Sequence, residues 1–304
     1  MDALPSPSSR RGAALLITLW CVAIVAIVVV TLARVVSADV DTEKVRVKRF
    51  EARELALSGM AHGMNPKLER DSEFYYQKLP SGGEWHVRVI GETSRLNINS
   101  LLADRESRVL ERLFRLWGVS DEDIRIVTDS LGDWVDRDGL ARLNGAEREQ
   151  LVGQDRYSLP ENRNFRSVSE MARVRGMDAV AQAKPDWKDY FTVYGNGKID
   201  IQDASADVLE AAGFTATQAE AIIEVRNGGD RLPGTTDDTE IKDMNWVAEA
   251  AGIGPEQAGS VLQDFQTKAE PSRVESVGII GGTRYRITSV LDRKQGTSFS
   301  WEEE

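Results

Sequence analysis

The sequence holds a single cysteine, Cys21, and two histidines, His62 and His86. One thiol cannot close an intramolecular disulfide, so cysteine usage does not locate the protein in an oxidising or reducing compartment. Two histidines, in stretches that read as helix and strand, leave a histidine triad or zinc site almost no material. There is no nucleophile elbow, no phosphate-binding glycine loop and no metal-spaced histidine pair. Carboxylates alone do not assemble an active site, so enzyme classes built on those motifs are excluded. Positive charge is also short, with 38 Lys and Arg against 49 Asp and Glu and a net charge of −11. Such a surface repels nucleic acid and anionic lipid.

What is present begins with a run that carries no charge. Ala13 to Ala33 reads AALLITLWCVAIVAIVVVTLA. At about 1.5 Å per residue it reaches about 31 Å, the thickness of a bilayer core. Thr18 and Thr31 can donate back to helix carbonyls, and Arg10 and Arg11 just ahead favour a cytoplasmic amino terminus with the remainder across the membrane. A secretory signal has a shorter apolar core followed by a small-residue cleavage site, and this run is too long and lacks such a site. A basic leader containing Ser and Pro ends in Gly12 directly before the apolar run. That order is similar to the class III leaders of type IV pilins and pseudopilins, which prepilin peptidase cuts after the glycine. Cleavage would make Ala13 the new terminus, and loss of Asp2, Arg10 and Arg11 takes the net charge from −11 to −12. A plain signal anchor would read the same way over this stretch.

Beyond the run, Val40, Val47, Phe50, Leu57, Ala61 and Met64 recur at helical spacing as far as Pro66, which predicts one helix of about 50 residues. Its outer half would pack one stripe on a globular domain and leave Glu43, Lys44, Lys48 and Arg53 on the other side. A dimerising coiled-coil stalk shares the stripe but normally sustains more heptads.

The rest reads as α+β: a long pilin-like helix packed on a small antiparallel sheet, with a large helical insertion. Strands are expected at Trp85 to Glu92 and at Ser94 to Leu102, the second ending in a helix cap. Helices are expected from Asp104 to Trp117 and from Asp121 to Val135, the latter capped by Ser120 with Asp123 beyond it. Others are expected at Glu147 to Val152, Val168 to Val174 and Ala179 to Ala183. Asp189 to Gly195 and Lys198 to Ser205 read as a hairpin through Gly195-Asn196-Gly197. Helices follow near Ala206 to Ala212, Ala216 to Arg226, Trp246 to Ala251 and Pro255 to Phe265. RVESVGII and TRYRITSVLD then form a hairpin through Gly281-Gly282, with SFSW as an edge strand. GETSRLNINSLL and GNGKIDIQDASADVL share a glycine, a short basic strand and a small-residue helix start, either a repeated corner or a coincidence. The expected divisions are 1–12, 13–36, 37–100, 101–268 and 269–304, the insertion having lobes at about 101–188 and 205–268 with strands 189–204 between.

Several segments in this order carry a family resemblance: RGAALLITLW, SRLNIN, DWVDRD followed by GAE and Tyr157, NRNFRSVSEMARVRGM, and TVYGNGKIDI. Together they resemble the type II secretion system minor pseudopilin K family (general secretion pathway protein K) over nearly the whole chain. The resemblance implies a pseudopilus tip subunit without catalysis. Its partners would be the I- and J-type minor pseudopilins, other pseudopilus and inner-membrane assembly components, and prepilin peptidase, with methylation accompanying the processing. It implies a single inner-membrane pass, a periplasmic body and no nucleic-acid partner. Most pilins carry glutamate at the fifth position after the cut, where this sequence has Ile17. A carboxylate in hydrocarbon is costly without a partner, so a subunit with no neighbour ahead of it does better without one.

LGDWVDRDGLARLNGAE clusters Asp133, Asp136 and Asp138, with Asn144 and Glu147 beyond. Calcium takes six to eight oxygens, and the resemblance implies calcium within the helical domain, so these five residues are the metal candidates. The spacing is not that of an EF-hand, and Arg137 or Arg142 could neutralise the acids instead. Two other readings compete with the tip subunit. ADVLEAAGFTATQAEAIIEVRNGG is similar to a helix-hairpin-helix, which in a DNA-binding minor pilin would grip phosphates, although Asp230, Asp237, Asp238 and Glu240 surround it. A signal-anchored periplasmic hydrolase would use the acids from Asp133 to Glu147 and needs a deep pocket around them.

Overall fold

The computed structural model describes residues 8–69, 72–103, 107–146, 152–153, 160–229, 231, 237–267 and 270–304, and within the first helix the side chains at 14–32 and from 43 onward. Helix α1, Ser8–Gly63, runs 56 residues without a break. No glycine or proline interrupts it between Gly12 and Gly59, and it stops just ahead of Asn65-Pro66, where proline disfavours helix in the preceding residue.

The outer end of α1 lies on a five-stranded antiparallel sheet made of β1 (Tyr76–Lys78), β2 (Glu84–Gly91), β7 (Ser272–Ile280), β8 (Thr283–Asp292) and β9 (Thr297–Glu303), in the order β1-β2-β7-β8-β9. The strand patterns alternate because one face is buried against α1: Val87 on β2, Val274 on β7, and Ile287 and Leu291 on β8 point into that core. The expected C-terminal hairpin is present with Ile280 opposite Thr283, and SFSW lies within the edge strand β9.

The buried stripe of α1 differs from the expected one. Ala52, Leu55, Ala56 and Met60 face the sheet with Gly59 and Gly63, while Val47 and Phe50 stay more than half exposed. Close approach explains the choice. A methyl on Gly278 would run into Ala52 O and Ala56 N, and Ser276 Oγ donates to Ala56 O at 2.7 Å, so only small residues fit at the crossing. Bulky Leu57 and Met64 sit at its margin.

Between β2 and β7 the chain leaves the sheet and builds a second, larger core. It contains β3 (Leu96–Asn97), α2 (Ile98–Ala103), α3 (Ser107–Leu116), α4 (Asp121–Val135), a 3-10 turn at Val168–Arg173 and α5 (Met177–Ala183). After these come β4 (Phe191–Thr192), β5 (Ile199–Asp200), α6 (Ala206–Ala212), α7 (Ala216–Arg226), α8 (Met244–Ala250), α9 (Pro255–Val261) and β6 (Phe265–Gln266). Both stretches expected as lobes share one contiguous set of buried side chains from Leu96 to Phe265. Trp117 Nε1 donates to Asp207 Oδ2 at 2.8 Å across their seam.

Several expectations are corrected. The second strand shrinks to Leu96–Asn97, because Asn97 Oδ1 accepts from Asn99 N and Ser100 N and starts α2 at once. The pair around Gly195-Asn196-Gly197 is not a hairpin: β4 pairs parallel with β3, and β5 pairs parallel with β6. The Asn97 amide donates to Tyr194 O and Gly195 O, which ties the turn to β3 instead of folding it back on itself. The two similar motifs thus take one local form, a two-residue strand in a parallel pair that leads into helix. Val168–Arg173 is 3-10 rather than α, and the last expected helix ends at Val261 so that Phe265 can join β6. The helix expected at Glu147 to Val152 falls almost wholly outside the described residues.

Candidate functional site

The apolar run is the first functional feature. Ala14–Leu32 is long and apolar enough to cross a membrane, with a mean hydropathy of 3.0 and none of its window buried against the rest of the protein. Thr18 Oγ1 donates to Leu15 O and Thr31 Oγ1 to Ile27 O, so both hydroxyls are answered within the helix. Ile17 lies on this span and is exposed. The backbone at Gly12 and Ala13 is already helical, α1 beginning at Ser8.

Past the span, α1 is clasped to the sheet edge. Arg53 Nε and Nη2 donate to Glu303 Oε2 and Oε1 at 2.7 and 3.0 Å, a two-pronged pair to which Tyr285 Oη and Trp301 Nε1 add donors. Arg53, read from sequence as a solvent-facing residue, is therefore engaged. Its guanidinium, with those two donors, holds the Glu303 carboxyl down at about 2.

The joint between the two cores rests on Glu92, which sequence reasoning did not single out. It sits in the 3-10 turn after β2 and is fully enclosed. Oε1 accepts from Thr192 Oγ1 at 2.6 Å on β4, and Oε2 accepts from Arg273 Nε at 2.7 Å on β7, so one carboxylate binds the helical body and the sheet together. Burial alone would lower the Arg273 pKa, but pairing with Glu92 holds it above its ordinary value. Burial, with Arg273 as a like-charge neighbour, lowers that of Arg95. Gly91 N donates to Asp203 Oδ2 at 2.7 Å, and Gln266 Nε2 to Thr93 Oγ1 at 3.0 Å, so each crossing of the chain adds a bond to the joint. Partners this far apart in sequence leave no periodic signal.

The five metal candidates are only partly brought together. Asp133, on α4 and fully enclosed, accepts from Arg142 N with both oxygens at 3.2 Å and from Arg142 Nη1 with Oδ1 at 3.1 Å. The same Nη1 lies 3.1 Å from Asp136 Oδ2. Asp138 turns to its own loop, accepting from Leu140 N, and Asn144 donates from N and Nδ2 to Asp129 Oδ2 at 2.9 and 2.8 Å. Glu147 lies outside the described residues. Burial pushes the Asp133 carboxyl up, with the Arg142 donors opposing. Among the described residues no three acidic, histidine or cysteine side chains converge as a metal cage. Asp136, Asp138 and Arg142 line a cleft of about 550 Å³ that also has Leu101, Leu110 and Leu140 in its wall. Both histidines lie away from it: His62 stacks near Trp85 and His86 beside Tyr76, on the sheet side of the molecule.

Residues 94–185, which hold this loop and the first half of the helical core, match the family model described as Type II secretion system (T2SS), protein K. That stretch is similar to protein K. Curated relatives bearing the name Type II secretion system protein K align with it. The one from Pseudomonas aeruginosa is 28% identical over 163 residues, 49% of this chain and 46% of the relative. That from Klebsiella pneumoniae is 31% identical over 107 residues, 32% of this chain and 33% of the relative. That from Dickeya chrysanthemi is 32% identical over 74 residues, 24% of this chain and 20% of the relative. The chain thus spans less than half the length of the curated relatives it matches. The fold of the chain is similar to a chain in the crystal structure of the GspK-GspI-GspJ complex from the enterotoxigenic Escherichia coli type 2 secretion system. That likeness has a TM-score of 0.60 at 15% identity, covering 88% of this chain and 99% of the other.

Proposed function

We propose that this chain is a non-enzymatic minor pseudopilin at the tip of a type II secretion pseudopilus, initiating or capping its assembly for protein export across the outer membrane. The observation that carries the reading is α1: one unbroken helix whose inner half is bare and apolar and whose outer half docks on an antiparallel sheet. Leader cleavage after Gly12 leaves that helix intact with Ala13 as its terminus and the body in the periplasm. Ile17 puts hydrocarbon where a carboxylate would need a partner amine, which suits a subunit with no neighbour ahead. The helical core between β2 and β7 adds bulk beside the sheet, an obstacle to stacking within a filament and none at its end. I- and J-type minor pseudopilins are the partners, and the exposed Val45, Val47 and Phe50 between the span and the sheet are apolar surface for a neighbouring membrane helix to cover.

The test is coexpression of the full chain with I- and J-type minor pseudopilins from the same source, followed by detergent extraction and size-exclusion chromatography. A ternary complex is the expected result; three separate species would overturn the tip assignment. Intact mass of the membrane-extracted protein should lack residues 1–12, whereas retention of Met1 reduces α1 to a signal anchor.

A further inference from the structure

Past the membrane span α1 has two faces, and the body of the protein uses one of them. Ala52, Ala56, Gly59 and Gly63 turn to the sheet. A second row, Glu43, Val47, Phe50, Glu54, Leu57 and Ala61, repeats in alternating steps of four and three. Phe50 and Gly59, like Ala52 and Ala61, are nine residues or about two and a half turns apart, so the row lies on the side of α1 turned away from the sheet. Val47 is 53% and Phe50 62% exposed, and Ala61 is exposed as well. Alternating steps of three and four are the pattern of a left-handed helix pair, in which each row residue fits a hole between residues of the partner. Two polar residues interrupt the row, and both are acidic. Glu43 is bound by Arg46 at 2.8 Å, one turn away. Glu54 has its side chain half exposed, and Arg53 Nη1 comes no nearer than 3.5 Å while the other donors of that guanidinium are committed to Glu303.

We propose that this row is a docking seam for a parallel helix rooted in the same membrane, and that Glu54 selects the occupant: a different chain that places Lys or Arg opposite it. The inference rests on the minor-pseudopilin reading above and adds to it the chemistry by which the partner helix is chosen. From Glu43 to Ala61 the row spans fewer than three heptads, too little to hold a freely diffusing helix. Helix α1 runs on without a break into the span, however, so a helix anchored beside it is already at high effective concentration. A second copy of this chain is disfavoured as occupant. Two copies paired in parallel and in register would set Glu54 against Glu54 and Glu43 against Glu43, like charges within an apolar seam. A basic side chain at that level meets instead a carboxylate that its own chain leaves half exposed, with Phe50 one turn away as the aromatic anchor.

The experiment coexpresses the full chain with I- and J-type minor pseudopilins, with a benzophenone photocrosslinker in place of Phe50 or, as a control, of Arg88, which is exposed on the far face of the sheet. Irradiation should join the first position to a partner chain and the second to none. Glu54→Lys should recover about tenfold less partner. Glu54→Leu, expressed alone with the crosslinker at position 50, should form adducts with its own copies where the unsubstituted chain forms none. Both substitutions fall on an exposed side chain and should leave the melting temperature unchanged. A ternary complex that forms without an adduct from position 50, or that holds Glu54→Lys as fully as wild type, overturns the seam and leaves the minor-pseudopilin reading standing. A wild-type chain that forms no complex overturns that reading, and the self-adducts of Glu54→Leu then test the seam by themselves. Their absence overturns the selecting role of Glu54 in either case. Should a Glu54 variant fail to fold, the adduct from position 50 is read with Glu54 in place.

Discussion

At the scale of single residues, the helix–sheet crossing depends on side chains that are missing rather than present. Gly278 on β7 faces Ala52 and Ala56 on α1, and Gly59 on α1 faces Ser276 and Trp85. Each gap lets two backbones approach until Ser276 Oγ can reach Ala56 O. Gly278→Ala should therefore force α1 away from the sheet and lower stability by about 1–3 kcal/mol, the usual cost of overpacking. Thermal unfolding of the full chain checks it, and an unchanged melting temperature would mean the crossing has slack. Small residues at these positions were legible in the sequence, but their role was not. An alternating strand with a glycine reads as an ordinary strand until its partner is known.

At the scale of elements, α1 is held by apolar packing along its small-residue face and by the Arg53–Glu303 clasp at the free edge of the sheet. The clasp has a definite pH signature. The Glu303 carboxyl lies at about 2 in the folded protein against an ordinary 4.5, so its contribution is present above the ordinary value and is lost as pH falls toward the folded one. Glu303→Gln should be less stable than wild type near neutral pH. The gap should narrow below pH 4.5 and close near pH 2. Melting curves over that range decide it, and a gap that is constant with pH would show that the pair contributes no charge-dependent stability. The pair is exposed enough for salt to weaken it. From sequence Arg53 belonged to a solvent-facing stripe, because a helical wheel ranks residues by polarity and cannot see a strand edge that arrives 250 residues later.

For the molecule as a whole, the central fact is that two cores with separate apolar interiors meet at one enclosed carboxylate. Glu92 is bonded to Thr192 in the helical body and to Arg273 in the sheet. Removing Glu92 leaves the largely buried Arg273 with only the more distant Glu275 and Glu302, at a cost of up to about 3 kcal/mol. Glu92→Ala should lower the melting temperature and speed amide exchange at β3, β4 and the first residues of β7 more than along α1. Exchange that rises evenly over the chain, or not at all, would show the joint to be held elsewhere.

The sequence by itself determined whatever depends on local pattern. The charge-free run, the continuation of α1 as far as Pro66, the Ser120-capped helix α4 and the C-terminal hairpin all follow from spacing, caps and turn residues. The helices Ala206–Ala212 and Ala216–Arg226 were legible to the residue for the same reason. Tertiary structure decided which face of α1 is buried, which strands the Gly195–Gly197 turn serves, and which donors Asp129 and Asp133 meet. Those answers depend on contacts between distant segments. The Glu92–Arg273 pair spans 181 residues and the Glu92–Thr192 bond 100. Two-residue strands such as β4 and β5 carry too little pattern to announce a partner. Only the packing of α4 against its own loop brings Arg142 to Asp133 and Asp136.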